Sequence, residues 1–177
     1  VEMVFHAEAN LVEYLFSPSS ITPELENEAT SLALRVANEL SLVGILAVEM
    51  FVTKDKKLLI NEIAPRPHNS GHQTIEGNIT SQYEQMLRAI TNLPLGETTI
   101  TKPAVMVNIL GEKGYEGSAI YSGLEDILKK DGVHVHLYGK KITKPFRKMG
   151  HVTVTSNTLA EAIEKANYIK NTLKVIA

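Results

Sequence analysis

The 177-residue sequence contains no cysteine and no tryptophan. Disulfides and thiolate metal sites are therefore excluded, and a reducing compartment, the cytoplasm, is the expected location. There is no excess of positive charge: 18 Lys and Arg against 20 Asp and Glu leave a formal net charge of −2. That balance argues against a nucleic-acid partner. No apolar run approaches the ~20 residues of a membrane span, and no signal-peptide pattern is present, so no membrane partner is expected. Neither GxGxxG nor GxxxxGK[ST] occurs, so the chain does not carry a whole nucleotide site of either common type. Internal repeats and low-complexity segments are also missing. So is a leading Met: VEMVFHAEANLVEYLF reads as strand from its first residue. A strand there needs pairing partners elsewhere, and the expectation is the C-terminal part of a longer chain.

What is present is ordinary globular composition, 44% hydrophobic and 21% charged. Met3–Ala7 and Asn10–Phe16 are rich in Val, Phe, Tyr and Leu and predict a hairpin with its turn near Asn10. Thr22-Pro23-Glu24 supplies an N-cap hydroxyl, a proline at the first helical position and acid in the first turn. Leu32, Val36 and Leu40, with Ala29, Ala33 and Ala37, carry that helix to about Leu42. Ile45–Thr53 and Leu58–Ile63 read as strands, Ala64–Asn78 as a polar loop, and Ile79–Leu93 as a helix. Pro94–Pro103 reads as a boundary. Beyond it come a strand over Ala104–Leu110, a short helix over Gly123–Lys130, and strands over Val133–Tyr138 and His151–Thr155. A capping box at Thr158 and Glu161 opens a last helix to about Val175.

Two glutamates stand out. Each interrupts an apolar strand, LAVEMF and LLINEI. With Asp55-Lys56 at the tip of an antiparallel hairpin, Glu49 falls opposite Glu62. Opposed Cβ atoms lie roughly 4.5–5.5 Å apart, and like charges there are destabilising. A divalent cation is the simplest counter-charge, and hard Mg²⁺ takes one or two carboxylates plus phosphate oxygens. The alternative is an edge hairpin with both glutamates in solvent. An odd-length turn would instead send them to opposite faces.

The loop after Glu62, APRPHNSGHQ, is polar and stiff. Pro65 and Pro67 restrict themselves and the residues before them, which sets the projection of Arg66 and His68. Arg66 suits a carboxylate or phosphate, and His68 suits hydrogen bonding or proton transfer near neutral pH. Asn69, Ser70 and Gly71 are turn residues first and anion-cradling donors second. His68 and His72 are four apart, but Pro67 and Gly71 argue against the helix that a zinc pair needs. His134 and His136 share a strand face, where a satisfied or exposed histidine is the plainer reading. A second basic group, GKKITKPFRKMGH, places Lys140, Lys141, Lys144, Arg147 and Lys148 around Pro145. It is either a solvated turn or a phosphate site.

Four segments together resemble one family of ATP-grasp enzymes: VEMVFHAEANLVEYLFSP, VGILAVEMFVT, LLINEIAPRPHNSGHQTIEGNITSQYEQMLRAITNLPLG and YGKKITKPFRKMGH. The family is the 5-(carboxyamino)imidazole ribonucleotide synthases, the ATPase component of bacterial phosphoribosylaminoimidazole carboxylase. The resemblance covers nearly the whole chain but only the C-terminal half of the family pattern. It implies an α+β fold, with the second lobe of an ATP-grasp domain over 1–97 (an antiparallel sheet with helices) followed by a small mixed α/β C-terminal domain over 98–177. It also implies carboxylation of 5-aminoimidazole ribonucleotide by bicarbonate with ATP cleavage, in purine biosynthesis. ATP and Mg²⁺ would be the cofactors, and the parent enzyme would be a homodimer.

By the same resemblance, Glu49 and Glu62 would hold the metal, with Asn61 at the nucleotide. Arg66 and His68 would lie by the γ-phosphate and bicarbonate. Asn69, Ser70, Lys140, Arg147 and Lys148 would bind substrate, the basic residues at its 5′-phosphate. One departure from other ATP-grasp enzymes is Ala64, where an asparagine often supplies a further metal or phosphate contact. Without the first lobe the chain is expected to be nearly inactive. Two competing readings remain: a formate-dependent transformylase of the same class, and a non-catalytic binding or dimerisation module.

Overall fold

A computed structural model describes residues 1–6 and 11–177. The turn expected near Asn10 lies outside the described residues. The chain forms two compact units, Val1–Pro18 with Ile100–Ala177, and Ser19–Thr99.

The first unit is built on a five-stranded antiparallel sheet in the order β1-β2-β5-β10-β8. Its strands are β1 (Glu2–Phe5), β2 (Val12–Ser17), β5 (Ala104–Leu110), β8 (Val133–Leu137) and β10 (Lys148–Thr155). The centre is β5, apolar but for Asn108 and buried along nearly its whole length. One sheet face receives α5 (Leu159–Thr172), which buries Ala162, Ala166 and Ile169 against Val105, Val107, Val152 and Val154. Thr158 caps that helix by accepting the Glu161 N–H at 3.3 Å, as the capping box predicts. Across the sheet His136 faces His151, and their rings stack with centroids 4.4 Å apart. His134 is exposed.

The remaining pieces are small. β6 (Gly117–Ser118) pairs with β9 (Ile142–Thr143), α4 spans Leu124–Leu128, and β7 (Ile120–Ser122) pairs with β11 (Lys174–Ile176). The last helix therefore stops at Thr172 rather than Val175. Val175 is instead a fully buried strand residue opposite Tyr121. β10 likewise starts three residues earlier than expected.

The second unit contains α1 (Pro23–Glu39), the hairpin β3 (Ala47–Val52) and β4 (Leu58–Ala64), the short α2 (Thr74–Gly77) and α3 (Gln82–Ile90). α1 begins as expected, with Pro23 at its first position and Thr22 accepting the Leu25 N–H at 3.4 Å. It buries no residue fully. Ala29, Leu32, Ala33, Val36 and Ala37, at helical spacing, are half-buried on one side. α3 begins later than expected because Ser81 caps it, accepting the Glu84 N–H at 3.2 Å. Among the described residues no helix is long and apolar enough to cross a membrane.

The division differs from a cut at 97/98. The break near the proline-rich stretch falls at Thr99, but the first 18 residues join the other unit. The cause is strand pairing. Tyr14, Leu15, Phe16 and Ser17 oppose Val107, Met106, Val105 and Ala104, and Leu15 and Phe16 are buried there.

Ile169 is fully buried between α5 and the sheet, whereas Leu34 on α1 is 59% exposed. Ile169→Ala is expected to cost about 2–5 kcal/mol in urea denaturation. Leu34→Ala should stay within about 0.5 kcal/mol.

Candidate functional site

The hairpin in the second unit brings the two glutamates face to face by a route other than the one the spacing suggests. Its turn is odd. Thr53 faces Lys57, with the Thr53 N–H donating to Lys57 O at 2.9 Å and the Lys56 N–H donating to Thr53 O at 2.9 Å. Lys56 is left-handed at φ 61°, the arrangement of a three-residue loop closed by a bulge. Near the turn, Val52 opposes Leu58 and Met50 opposes Ile60. That register alone would set Glu49 against Asn61 and turn Glu62 to the opposite face. A β-bulge between Glu49 and Met50 absorbs Asn61, and from there Glu49 opposes Glu62. Asn61 keeps a link to the site, its Nδ2 donating to Glu49 Oε2 at 3.4 Å.

His68 joins the pair. Its Nδ1 lies 3.7 Å from Glu49 Oε1 and its Nε2 lies 3.6 Å from Glu62 Oε1. The side chains of Glu49 and His68 are 12% and 13% exposed, and that of Glu62 is 58% exposed. Nδ1 accepts the Ser70 N–H at 3.4 Å and lies 3.0 Å from Ser70 Oγ. A neutral imidazole with its proton on Nε2 would present that proton toward Glu62 while Nδ1 accepts the Ser70 N–H.

One ligand atom from each of Glu49, Glu62 and His68 lies within 4.8 Å of the others. Two opposed carboxylates with open space on the Glu62 side fit a hard divalent cation that completes its shell with phosphate or water oxygens. The histidine nitrogen is a softer third donor.

The loop that presents His68 is fastened by a residue the sequence did not mark. Gln82, at the start of α3 and 7% exposed, accepts the His68 N–H at 2.8 Å and donates to His68 O at 2.9 Å. Its own N–H donates to Thr74 Oγ1 at 2.9 Å, and that hydroxyl donates to Gly71 O at 2.6 Å. His72 Nδ1 lies 3.0 Å from both Gln82 Nε2 and the Tyr83 hydroxyl. Burial pushes the Tyr83 phenol above its usual pKa, so it stays a donor at neutral pH. His72 is thus tied to α3 and takes no part in a zinc pair with His68. A glutamine following a serine cap was the available signal, and it carries no motif.

The other residues singled out from the sequence fall in different surroundings. Arg66 is exposed and donates from Nη1 to Pro67 O at 3.2 Å, not to either carboxylate. Asn69 and Ser70 form the 3₁₀ turn after His68. Lys140, Arg147 and Lys148 belong to the first unit. There Lys140 Nζ donates to Lys148 O at 2.5 Å and lies 5.5 Å from the Tyr138 ring centroid. Arg147 Nη1 donates to Ile142 O at 2.8 Å.

Residues 2–83 match the ATP-grasp domain, and residues 104–165 match the phosphoribosylaminoimidazole carboxylase C-terminal domain. The N5-carboxyaminoimidazole ribonucleotide synthase of Bacillus subtilis is 42% identical over 156 residues, 88% of this chain and 40% of that protein. The chain belongs to the N5-carboxyaminoimidazole ribonucleotide synthase family.

Another family member, from Aquifex aeolicus, is 46% identical over 83% of this chain and 39% of its own length. The chain thus spans about 40% of these relatives. Among solved structures of the family, the synthetase from Thermotoga maritima superposes with a TM-score of 0.90 at 51% identity, over 93% of this chain and 46% of that one. A synthase from Aspergillus clavatus, in complex with ADP and 5-aminoimidazole ribonucleotide, gives 0.84 at 32% identity, over 96% and 45%. The α+β class expected from the family resemblance therefore holds, with an ATP-grasp match followed by the C-terminal domain match.

Gly71 lies against α3, and a Cβ there would fall on Gln82 Oε1. Gly71→Ala is expected to destabilise the protein by about 1–3 kcal/mol in urea denaturation.

Proposed function

We propose that this chain supplies the cation-holding hairpin and the ribonucleotide-phosphate loop of an ATP-dependent carbon–nitrogen ligase. The substrates would be 5-aminoimidazole ribonucleotide, bicarbonate and ATP. The products would be 5-(carboxyamino)imidazole ribonucleotide, ADP and phosphate. The observation that carries this reading is the opposition of Glu49 and Glu62 through the Asn61 bulge, with His68 between them. The family membership and the complex of the Aspergillus clavatus relative with ADP and 5-aminoimidazole ribonucleotide support it.

In the proposed reaction a bicarbonate oxygen attacks the γ-phosphorus of ATP and the bond to ADP breaks. The 5-amino nitrogen then attacks the carbon of the resulting carboxyphosphate, phosphate leaves, and the nitrogen loses a proton. Mg²⁺ would be held by Glu49 and Glu62 and would neutralise phosphate charge. Asn61 orients the Glu49 carboxylate. His68 presents one ring nitrogen to each carboxylate and would serve the γ-phosphate and bicarbonate, with Arg66 as an exposed guanidinium for the same anions. Asn69 and Ser70 would line the substrate side of the loop. Lys140, Arg147 and Lys148 would hold the 5′-phosphate, where charge-assisted bonds replace the carbonyl contacts that Lys140 and Arg147 make now. Residues 2–83 would act as part of the ATP-grasp domain and 104–165 as the carboxylase C-terminal domain. The assembly would be a cytoplasmic homodimer.

In a full-length member of the family, Gln at the positions aligned with Glu49 and Glu62 is expected to lower kcat by orders of magnitude while the protein folds normally. In the 177-residue chain, Glu49→Gln should weaken Mn²⁺ binding, read by electron paramagnetic resonance, by at least the roughly 10–100-fold that loss of an outer partner costs a metal site. Unchanged turnover and unchanged Mn²⁺ binding would point to a non-catalytic module.

A further inference from the structure

We infer that Gln82 is the positioning residue that aims the His68 imidazole between Glu49 and Glu62. The inference rests on the proposed role of that carboxylate pair. His68 follows Pro67 on a loop with only one turn of 3₁₀ helix after it, Asn69–Gly71. Within the loop the Gly71 N–H donates to His68 O at 2.9 Å and the Ser70 N–H reaches Nδ1 at 3.4 Å, but no local partner takes the His68 N–H. Gln82 supplies that bond and ties the loop to α3. One planar carboxamide meets the His68 N–H and the His68 C=O together, at 2.8 and 2.9 Å. Two bonds from a rigid plane hold both position and rotation, which one bond does not.

The clamp is itself anchored at three places. Its backbone N–H is held by Thr74 Oγ1, its Nε2 also reaches His72 Nδ1, and it begins α3 directly after the Ser81 cap. Gly71 leaves no Cβ where the carboxamide oxygen lies. A glutamine 7% exposed, with both ends of its amide committed, is preorganised and gives up little rotamer freedom when a ligand arrives. The distance from His68 to either carboxylate, 3.7 and 3.6 Å, is therefore transmitted from α3 rather than set by the proline loop alone.

The test uses the intact chain and two substitutions. Gln82→Met keeps the length and removes every side-chain hydrogen bond while the backbone N–H to Thr74 Oγ1 stays. Gln82→Glu keeps an acceptor for the His68 N–H and loses the donor to His68 O and His72. Amide hydrogen exchange by NMR should rank the His68 N–H as most protected in the native chain, intermediate in Gln82→Glu, and at least about tenfold faster in Gln82→Met. Protection along β3 and β4 should persist in both. The His68 ring-carbon resonance should split or broaden in Gln82→Met, and Mn²⁺ affinity should fall about 3- to 10-fold there. An unchanged His68 exchange rate in Gln82→Met overturns the inference. So does equal loss of protection at every amide of residues 19–99, which would mark Gln82 as a general prop. If Gln82→Met does not fold, the ring resonance of Gln82→Glu decides, and an unaltered ring overturns the inference. Should Glu49→Gln leave Mn²⁺ binding intact, the cation reading fails, while the His68 exchange ranking still judges the clamp.

Discussion

Two like charges facing each other across a pair of strands are the constraint around which this site is organised. Glu49 is mostly buried, and its partner Glu62, 58% exposed, faces it across the strands. Like charges so opposed are destabilising, and a positive charge between them relieves the repulsion. The site offers His68 at the midpoint, with one ring nitrogen toward each carboxylate, and leaves the Glu62 side open. A cation that arrives with phosphate oxygens would answer the same demand.

The machinery around the pair serves its geometry. The odd turn at Lys56 would have split the glutamates between faces, and the Asn61 bulge reverses that outcome. The same bulge leaves the Asn61 amide within reach of Glu49. Bulges re-aim side chains at the cost of ladder continuity, and here the interruption lies between the two acids. Gln82 does for the loop what the bulge does for the hairpin, converting a sequence adjacency into a fixed direction.

The two basic clusters illustrate how adjacency in sequence and place in the fold diverge. Arg66 follows Glu62 by four residues yet turns to its neighbour's carbonyl. Lys140 and Arg147 likewise donate to nearby carbonyls, so each cation is paired with a neutral oxygen that an anion can displace. The opening strands show the same divergence at larger scale. They match the ATP-grasp family model, yet β1 pairs with β2 and β2 with β5, about 90 residues away.

Local signals were legible wherever the cause is local. Thr22-Pro23 starts a helix because hydroxyl and proline act on their own turn, and the apolar strand Ala104–Leu110 announces its burial. The candidacy of Glu49, Glu62 and His68 was legible for the same reason, since charged residues interrupting apolar strands and a proline-stiffened histidine are visible one at a time. The turn register, the bulge that corrects it, Gln82 and the strand Lys174–Ile176 were not. Each depends on which distant backbone offers a partner, and hydrogen-bond pairing between segments leaves no periodic mark on either. The sequence by itself marked two acids and a histidine as candidates, through their place beside apolar strands and prolines. Only the tertiary structure decided that they would meet, because the facing of side chains is set by pairing across strands and by a carboxamide 14 residues from the histidine it holds.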